Sequence, residues 1–97
     1  MKFKTFINRV FNDSIKFRGR YSLIYTYKNG IAYRLSIEHL TREDHDLLIY
    51  SETITYCKNI ELEIEIKEKK EVLHALFEEL TKLEYKFIID QSVPPKF

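Results

Sequence analysis

Apolar and polar residues alternate from residue 20 to residue 38, and this pattern predicts a β-hairpin, the clearest element of the chain. The turn sequence Lys-Asn-Gly ends at Gly30, and the length of the turn decides which side chains share a face. A two-residue Asn-Gly turn would mix tyrosines with polar residues, whereas a three-residue turn with a left-handed Gly30 pairs Tyr27 with Ile31. We predict the three-residue turn because it alone separates an apolar face from a polar one. That apolar face consists of Tyr21, Leu23, Tyr25, Tyr27, Ile31, Tyr33, Leu35 and Ile37.

Helical spacing of apolar residues predicts two amphipathic helices, one near each end of the chain. The first covers residues 3–11 and ends at the poor helix formers of residues 12–14. Its apolar stripe consists of Phe3, Phe6, Ile7, Val10 and Phe11. The second begins at Glu68, where acidic residues suit the positive end of the helix dipole. Its apolar stripe consists of Leu73, Leu76, Phe77, Leu80 and Leu83.

Residues 48–56 alternate again and predict a third strand. One side of this strand would carry Leu48, Tyr50, Ile54 and Tyr56. A helix is the competing interpretation, because Leu47, Tyr50, Ile54 and Cys57 also follow helical spacing. The β-branched and aromatic run of residues 53–56 favours the strand.

Residues 60–66 follow a strict alternation and predict a fourth strand, joined to the third by a short turn at residues 57–59. Its outward side chains would be Glu61, Glu63 and Glu65, and its inward ones Ile60, Leu62, Ile64 and Ile66. Alternation at residues 85–89 predicts a last short strand. The tail, residues 91–97, cannot continue a β-ladder because its two prolines donate no hydrogen bond.

The predicted order is therefore α-β-β-β-β-α-β, which indicates an α+β fold in a single small domain of residues 1–97. An antiparallel meander sheet would be polar on one face and covered on the other by both helices, since no other element can bury its apolar side. An exposed edge strand, at residues 85–90 or 21–27, could pair with its twin in a homodimer.

The composition excludes several classes of function but does not select one. The 97 residues carry a formal net charge of +1, which argues against a globally basic nucleic-acid binder and a globally acidic mimic. That balance hides an asymmetry: residues 1–36 hold eight basic and one acidic side chain, whereas residues 37–97 hold eight basic and fourteen acidic ones. A single cysteine excludes an internal disulfide and a multi-cysteine zinc site. No apolar run is long enough to span a membrane, so we expect a cytoplasmic protein without a membrane partner.

Candidate chemistry is sparse. The polar connection from His39 to Asp46 holds two histidines and three acidic residues, which could ligate zinc or manganese, but one loop rarely supplies a converging ligand set. Cys57 is expected to be a partly exposed free thiol, and His74 borders the apolar stripe of the second helix without a nucleophile spaced to suit it. We therefore expect no catalytic activity, no bound metal and no cofactor.

The leading hypothesis is a small non-enzymatic regulatory protein that binds a larger protein or protein complex. Glu61, Glu63 and Glu65 form a ladder of like charges. Such a ladder either prevents strands of other proteins from pairing with it or attracts a basic partner, and the hypothesis assigns these glutamates the second role. Glu43, Asp44 and Asp46 would extend that patch. Twelve isoleucines and eleven lysines against two alanines indicate an AT-rich genome. Small chains of this kind, without recognisable motifs, are often inhibitors encoded by phages and mobile elements.

The alternative hypothesis is nucleic-acid binding through the basic first third of the chain. Its contact residues would be Arg18, Arg20, Arg34 and Lys28. In the two-residue hairpin register, Tyr21, Tyr25 and Tyr27 would project outward beside these cations and could stack on bases. This alternative therefore depends on the parity of the hairpin turn.

Overall fold

Five strands in one mixed sheet, with one long helix packed on it, form the fold in the computed structural model, which describes residues 14–41 and 43–91. In chain order the elements are β1 (Ile15–Arg18), β2 (Ser22–Thr26), β3 (Ala32–His39), β4 (Leu47–Tyr56), α1 (Ile66–Lys82) and β5 (Phe87–Asp90). Strands β1 to β4 pair antiparallel in chain order, and β5 pairs parallel to β4. The α+β class is confirmed, but the purely antiparallel meander is wrong. The helix predicted at residues 3–11 and the tail beyond residue 91 lie outside the described residues.

The hairpin of β2 and β3 has the predicted register. The Tyr27 N–H donates to the Ile31 carbonyl at 3.0 Å, Tyr25 lies opposite Tyr33, and Gly30 has a φ of +83°, which a side chain would disfavour. The apolar face is buried along most of its length, at Leu23, Tyr25, Tyr33, Leu35 and Ile37. At the hairpin ends it is not, because Tyr21 and Ile31 remain exposed.

A short strand that the sequence analysis missed, β1, pairs along the edge of the hairpin that β2 would otherwise leave open. It pairs with β2 from Ile15 opposite Tyr25 to Arg18 opposite Ser22. Residues 22–26 therefore lie between two strands, so the prediction that residues 21–27 form an exposed edge is wrong. The edges of the sheet, as far as the described residues show, are β1 and β5.

A bulge in β4 reverses which of its side chains face the helix. Arg34 pairs with Thr55 but Ser36 pairs with Tyr50, so residues 51–54 lie opposite the single residue Leu35. The backbone N–H of Ser36 donates instead to the Thr53 hydroxyl oxygen at 2.8 Å, and that hydroxyl donates to the Tyr50 carbonyl at 2.6 Å.

The reversal corrects the predicted faces of β4. Leu47 and Ile49 join the core before the bulge, and Ile54 joins it after the bulge. Leu48 and Tyr50, predicted on the same side as Ile54, lie on the opposite face. There the Tyr50 hydroxyl donates to a Glu38 carboxylate oxygen at 2.7 Å. This bond and burial raise the pKa of Tyr50 to about 12.

Helix α1 covers the sheet face that carries the hairpin core, which we call the inner face. The helix begins at Ile66, two residues before the predicted start, and its C-cap is Leu83, whose N–H donates to the Glu79 carbonyl at 3.1 Å. The predicted stripe is confirmed, with Phe77 only half-buried. The fully buried helix residues are Val72, Leu76 and Leu80.

The predicted strand at residues 60–66 is wrong. Residues 57–65 form an irregular connection between β4 and α1, with a turn in which the Leu62 N–H donates to the Asn59 carbonyl at 3.2 Å. A strand here would have to pair beside β4, but β3 and β5 occupy both of its sides. Without a pairing partner, Ile60 and Leu62 are 64% and 56% exposed, and Ile66, which begins α1 instead, is 73% exposed.

Candidate functional site

The candidate site lies at one end of the sheet, where the β2–β3 turn meets the connection from β4 to α1. A groove of about 460 Å³ separates these two segments. It is lined by Gly30, Ile31, Ala32, Tyr56, Lys58, Asn59 and Leu62. We call the exposed side chains of Ile31, Ile60 and Leu62, together with those of Glu61, Glu63 and Glu65, the tip patch.

Both walls of the groove are held by hydrogen bonds that backbone N–H groups donate. The Cys57 N–H donates to the Ala32 carbonyl at 3.1 Å, which carries the β3–β4 pairing one residue beyond the end of β4. On the other wall, the Ile31 N–H donates to the Asn29 side-chain oxygen at 2.9 Å, an interaction that fixes the turn. The apolar side chains of the tip patch are therefore presented to solvent by ordered backbone.

Two tyrosines and a glutamate lie beside the groove. The hydroxyls of Tyr33 and Tyr56 donate to the same Glu68 carboxylate oxygen at 2.6 and 2.7 Å, and their rings are 5.4 Å apart. These bonds lower the pKa of Glu68. Burial, followed by the bond to Glu68, raises the pKa of Tyr33 to about 12, and the bond to Glu68 raises that of Tyr56.

This cluster joins β3, β4 and the first turn of α1. Near neutral pH the shifted pKa values keep the Glu68 carboxylate ionised and the two hydroxyls protonated. A carboxylate that accepts two such bonds is a poor general base, because its proton affinity is lowered. The arrangement fastens the helix start to the sheet beside the groove.

The three glutamates of the tip patch are exposed and form no ion pair with any residue of the described ranges. Glu65 is the residue immediately before α1, and its side chain makes no capping hydrogen bond. Apolar side chains and carboxylates alternate along this connection, so each exposed apolar group has a charged neighbour.

Glu43, Asp44 and Asp46 do not extend the tip patch. They lie in the β3–β4 loop, at the other end of the ten-residue strand β4, roughly 30 Å away along an extended strand. Asp46 has an internal role, since its carboxylate accepts the Lys86 N–H at 2.9 Å. An Asp44 oxygen lies 3.2 Å from Nδ1 of the neighbouring His45. The six predicted acidic residues therefore form two separate groups.

The four predicted nucleic-acid contacts are likewise divided. Arg18 and Arg34 line one groove of about 430 Å³, with Ile24 and Cys57. This groove lies on the sheet face opposite the helix, which we call the outer face. Arg34 also donates to the Ser22 hydroxyl at 3.1 Å. Arg20 lies on the β1–β2 turn, and Lys28 lies on the β2–β3 turn at the opposite end of β2.

The stacking platform considered for the alternative hypothesis is not formed. Tyr25 and Tyr27 lie on the helix-covered side, with Tyr25 buried and Tyr27 packed partly against the core. Tyr21 is exposed, and the Arg20 guanidinium lies 6.0 Å from its ring centre. The register that buries the tyrosines therefore leaves the arginine groove without aromatic rings.

The remaining candidate residues bring no metal centre together. Cys57 is half-buried, and burial raises the pKa of its thiol although Arg34 and Arg18 act to lower it. Within residues 14–41 and 43–91, no three histidine, cysteine, aspartate or glutamate side chains converge as metal ligands. In the same part of the chain, no helix has the length and apolar character needed to cross a bilayer.

Sequence reasoning identified the tip-patch glutamates as exposed but missed the apolar half of the patch. Ile60 and Leu62 follow the pattern of a half-buried strand, so their pattern alone predicts burial. A local signal did exist: Lys58 and Asn59 precede them and Lys67 follows, so the run is short and bordered by polar residues.

Comparison with known proteins adds no relationship. No protein-family model matches the chain, and no match was found among curated proteins or among solved structures. The geometry of the described residues is therefore the basis for any functional conclusion.

Proposed function

We propose that this is a non-enzymatic binding protein that acts through protein–protein contacts, with the tip patch as its docking surface. The observation that carries the proposal is the exposure of Ile31, Ile60 and Leu62 at 40%, 64% and 56%, beside three carboxylates that pair with no described residue. Exposed apolar groups rimmed by charge are typical of interaction surfaces.

The chemistry of the patch indicates the partner. Its apolar groups would be buried by an aliphatic or aromatic side chain entering the groove, and this burial would supply most of the affinity. Its carboxylates would attract and orient lysine or arginine side chains around that anchor. The occupant is therefore a segment of a larger protein that combines basic residues with an apolar anchor.

The mode of action that fits this surface is steric occlusion. The carboxylate that borders the groove is engaged by two hydroxyls, so the groove is better suited to contact than to acid–base chemistry. A chain of 11.8 kDa that docks by one end would cover a site on a larger cytoplasmic complex. The composition supports an inhibitor of the kind that phages and mobile elements encode.

A peptide selection tests the proposal without a known partner. A library of random 12-residue peptides is selected against the immobilised full chain, and the enriched peptides are expected to combine lysine or arginine with a large apolar residue. Their affinity should fall at least tenfold for Leu62→Ser and for the triple change of Glu61, Glu63 and Glu65 to Gln.

Tyr21→Ser is the matched control, because Tyr21 is a comparably exposed apolar residue outside the patch. It should leave peptide affinity unchanged. Enrichment of acidic peptides, or equal binding to the wild type and Leu62→Ser, would contradict the tip patch as the docking surface.

A specific observation favours a second candidate, nucleic-acid binding: Arg18 and Arg34 share one groove on the outer face. Two arginines can contact backbone phosphates. For each tenfold increase in salt concentration, the affinity would then fall by about one logarithmic unit per phosphate contacted. Titration of labelled single-stranded RNA and duplex DNA at several salt concentrations tests this candidate. Arg34→Gln should weaken binding, whereas Lys28→Gln should not, because Lys28 lies on a distant turn.

A further inference from the structure

Strand β5 is an edge of the sheet as far as the described residues show, and it is short, but most of it lacks the charges and prolines that often keep a strand from pairing with another chain. Its first three residues, Phe87 to Ile89, carry no charge and no proline, and Ile89 is 44% exposed. Strand β1 at the opposite edge is different, because Lys16 and Arg18 alternate along it and their charges oppose pairing. We propose that two copies of this chain pair antiparallel through β5 and form a symmetric dimer.

The backbone of β5 offers a defined set of hydrogen-bonding groups. The Lys86 carbonyl accepts the Leu47 N–H at 3.2 Å, so it points toward β4. In a parallel ladder every second residue turns both its groups to the same neighbour, and Ile88 is therefore directed toward β4 as well. Phe87 and Ile89 each turn an N–H and a C=O to the open edge, where no described strand pairs with them.

One register satisfies all of these groups. If the two-fold axis passes beside Ile88, Phe87 of each copy lies opposite Ile89 of the other copy. Each Phe87–Ile89 pair exchanges two hydrogen bonds, so the dimer gains four. The faces also match, since Phe87 and Ile89 pair with Leu47 and Ile49 and share their inner face.

Charge selects the same register. With Ile88 on the axis, Lys86 of each copy lies opposite Asp90 of the other, which gives two oppositely charged cross-strand pairs. Moving the axis to Ile89 would place Ile88 opposite Asp90, and moving it to Phe87 would place Lys86 opposite Ile88. Both alternatives set a charge against an apolar side chain.

Packing at the inner face supports a second copy as the occupant. A groove of about 450 Å³ runs beside the edge, and its apolar lining comes from Ile66, Leu73, Phe77 and Ile89. Phe87 is held in a stack on Phe77, with ring centres 5.4 Å apart. In the proposed register Phe87 of the second copy lies next to Ile89 and covers it from solvent.

Sedimentation of the full chain over a range of concentrations provides the first test. The mass is expected to rise from 11.8 kDa to twice that value as concentration increases. Lys86→Asp should weaken dimerisation about tenfold, because it opposes like charges twice, and adding Asp90→Lys should restore it. A restored double variant also shows that the single variant did not fail by misfolding.

A disulfide across the axis tests the register itself. In a Cys57→Ser background, Ile88→Cys places two thiols at a non-hydrogen-bonded antiparallel pair, where the Cα separation of about 4.5 Å permits a disulfide. Mild oxidation should yield a covalent dimer faster for Ile88→Cys than for Lys16→Cys on the β1 edge. A mass of 11.8 kDa at every concentration, or equal rates for the two cysteines, would overturn the proposal.

Discussion

The β2–β3 hairpin and the connection at residues 57–65 contain the same alternation of apolar and polar residues, yet they differ in burial. Leu23 and Leu35 of the hairpin are almost completely buried, whereas Ile60 and Leu62 of the connection are mostly exposed. The hairpin strands have neighbours on both sides, and the connection has none in the sheet. Alternation thus creates an apolar face, but only backbone pairing aligns that face with the core.

The difference has a consequence for function. In the hairpin the apolar side chains are buried away from water, and this burial stabilises the fold. In the connection they remain in water beside carboxylates and are available to a partner. Under the proposed function, the same sequence pattern serves stability in one region and recognition in the other.

Truncation of one leucine in each region should give the largest contrast. Leu35→Ala removes a fully buried side chain and should lower the free energy of unfolding by about 2–5 kcal/mol. Leu62→Ala should change it by less than about 0.5 kcal/mol, since the side chain is exposed. Urea unfolding followed by circular dichroism, at one low protein concentration, measures both. Equal losses would mean that the connection is packed in solution.

The bulge in β4 determines which side chains enter the core ahead of the connection, and Thr53 holds it. Thr53→Val keeps the shape of the side chain but leaves the Ser36 N–H without its acceptor at a half-buried position. The free energy of unfolding should fall by about 1–3 kcal/mol. Thr55→Val is the control on the same strand and should cost less than about 0.5 kcal/mol. Comparable losses for the two variants would show that the hydroxyl does not hold the bulge.

These elements also show what the sequence could predict. The hairpin was predictable because its turn chemistry and its alternation select the same register, and both are local. Helix α1 was predictable for a similar reason, as its apolar stripe from Leu73 to Leu83 repeats over about three turns. The short strand β1 lacks such a signal, because four residues are too few to define a period.

Long-range choices were not predictable. The reversal of β4 depends on a hydroxyl that replaces a backbone partner, and nothing in the alternation of residues 48–56 marks Thr53 for that role. The parallel pairing of β5 with β4 joins segments separated by about forty residues and removes the position that residues 60–66 would have needed. Because that pairing leaves Ile60 and Leu62 outside the sheet and exposed, the apolar half of the tip patch could not be predicted either.

The link between the helix start and the hairpin should give an effect of intermediate size. Glu68→Gln removes the charged acceptor of the Tyr33 and Tyr56 hydroxyls. Because Glu68 is only half-buried, the loss in the free energy of unfolding should be about 1 kcal/mol at pH 7. Chemical unfolding of the variant and of the wild type at pH 7 measures this difference.

The same variant should flatten the acid limb of stability. The pKa of Glu68 is lower in the folded protein than its ordinary value of 4.5, so its contribution is present above about pH 4.5 and is lost as pH falls through the folded value. The gap between wild type and Glu68→Gln should therefore narrow below pH 4.5. Glu71→Gln, in the next turn of α1, is the control and should leave the acid limb unchanged. A gap that is constant with pH would exclude the charged hydrogen bonds as its source.

The smallest effect on stability is expected for the tip-patch carboxylates. Glu61, Glu63 and Glu65 are exposed and form no ion pair with described residues, so changing all three to Gln should alter the free energy of unfolding by less than about 0.5 kcal/mol. Relief of repulsion between like charges and loss of the favourable charge beside the N-terminus of α1 act in opposite directions. Urea unfolding checks the change, and a loss above 1 kcal/mol would assign the carboxylates a structural role. If stability is retained while binding of basic peptides falls, the charges of this connection serve recognition, whereas the charge of Glu68, a few residues later, serves the fold.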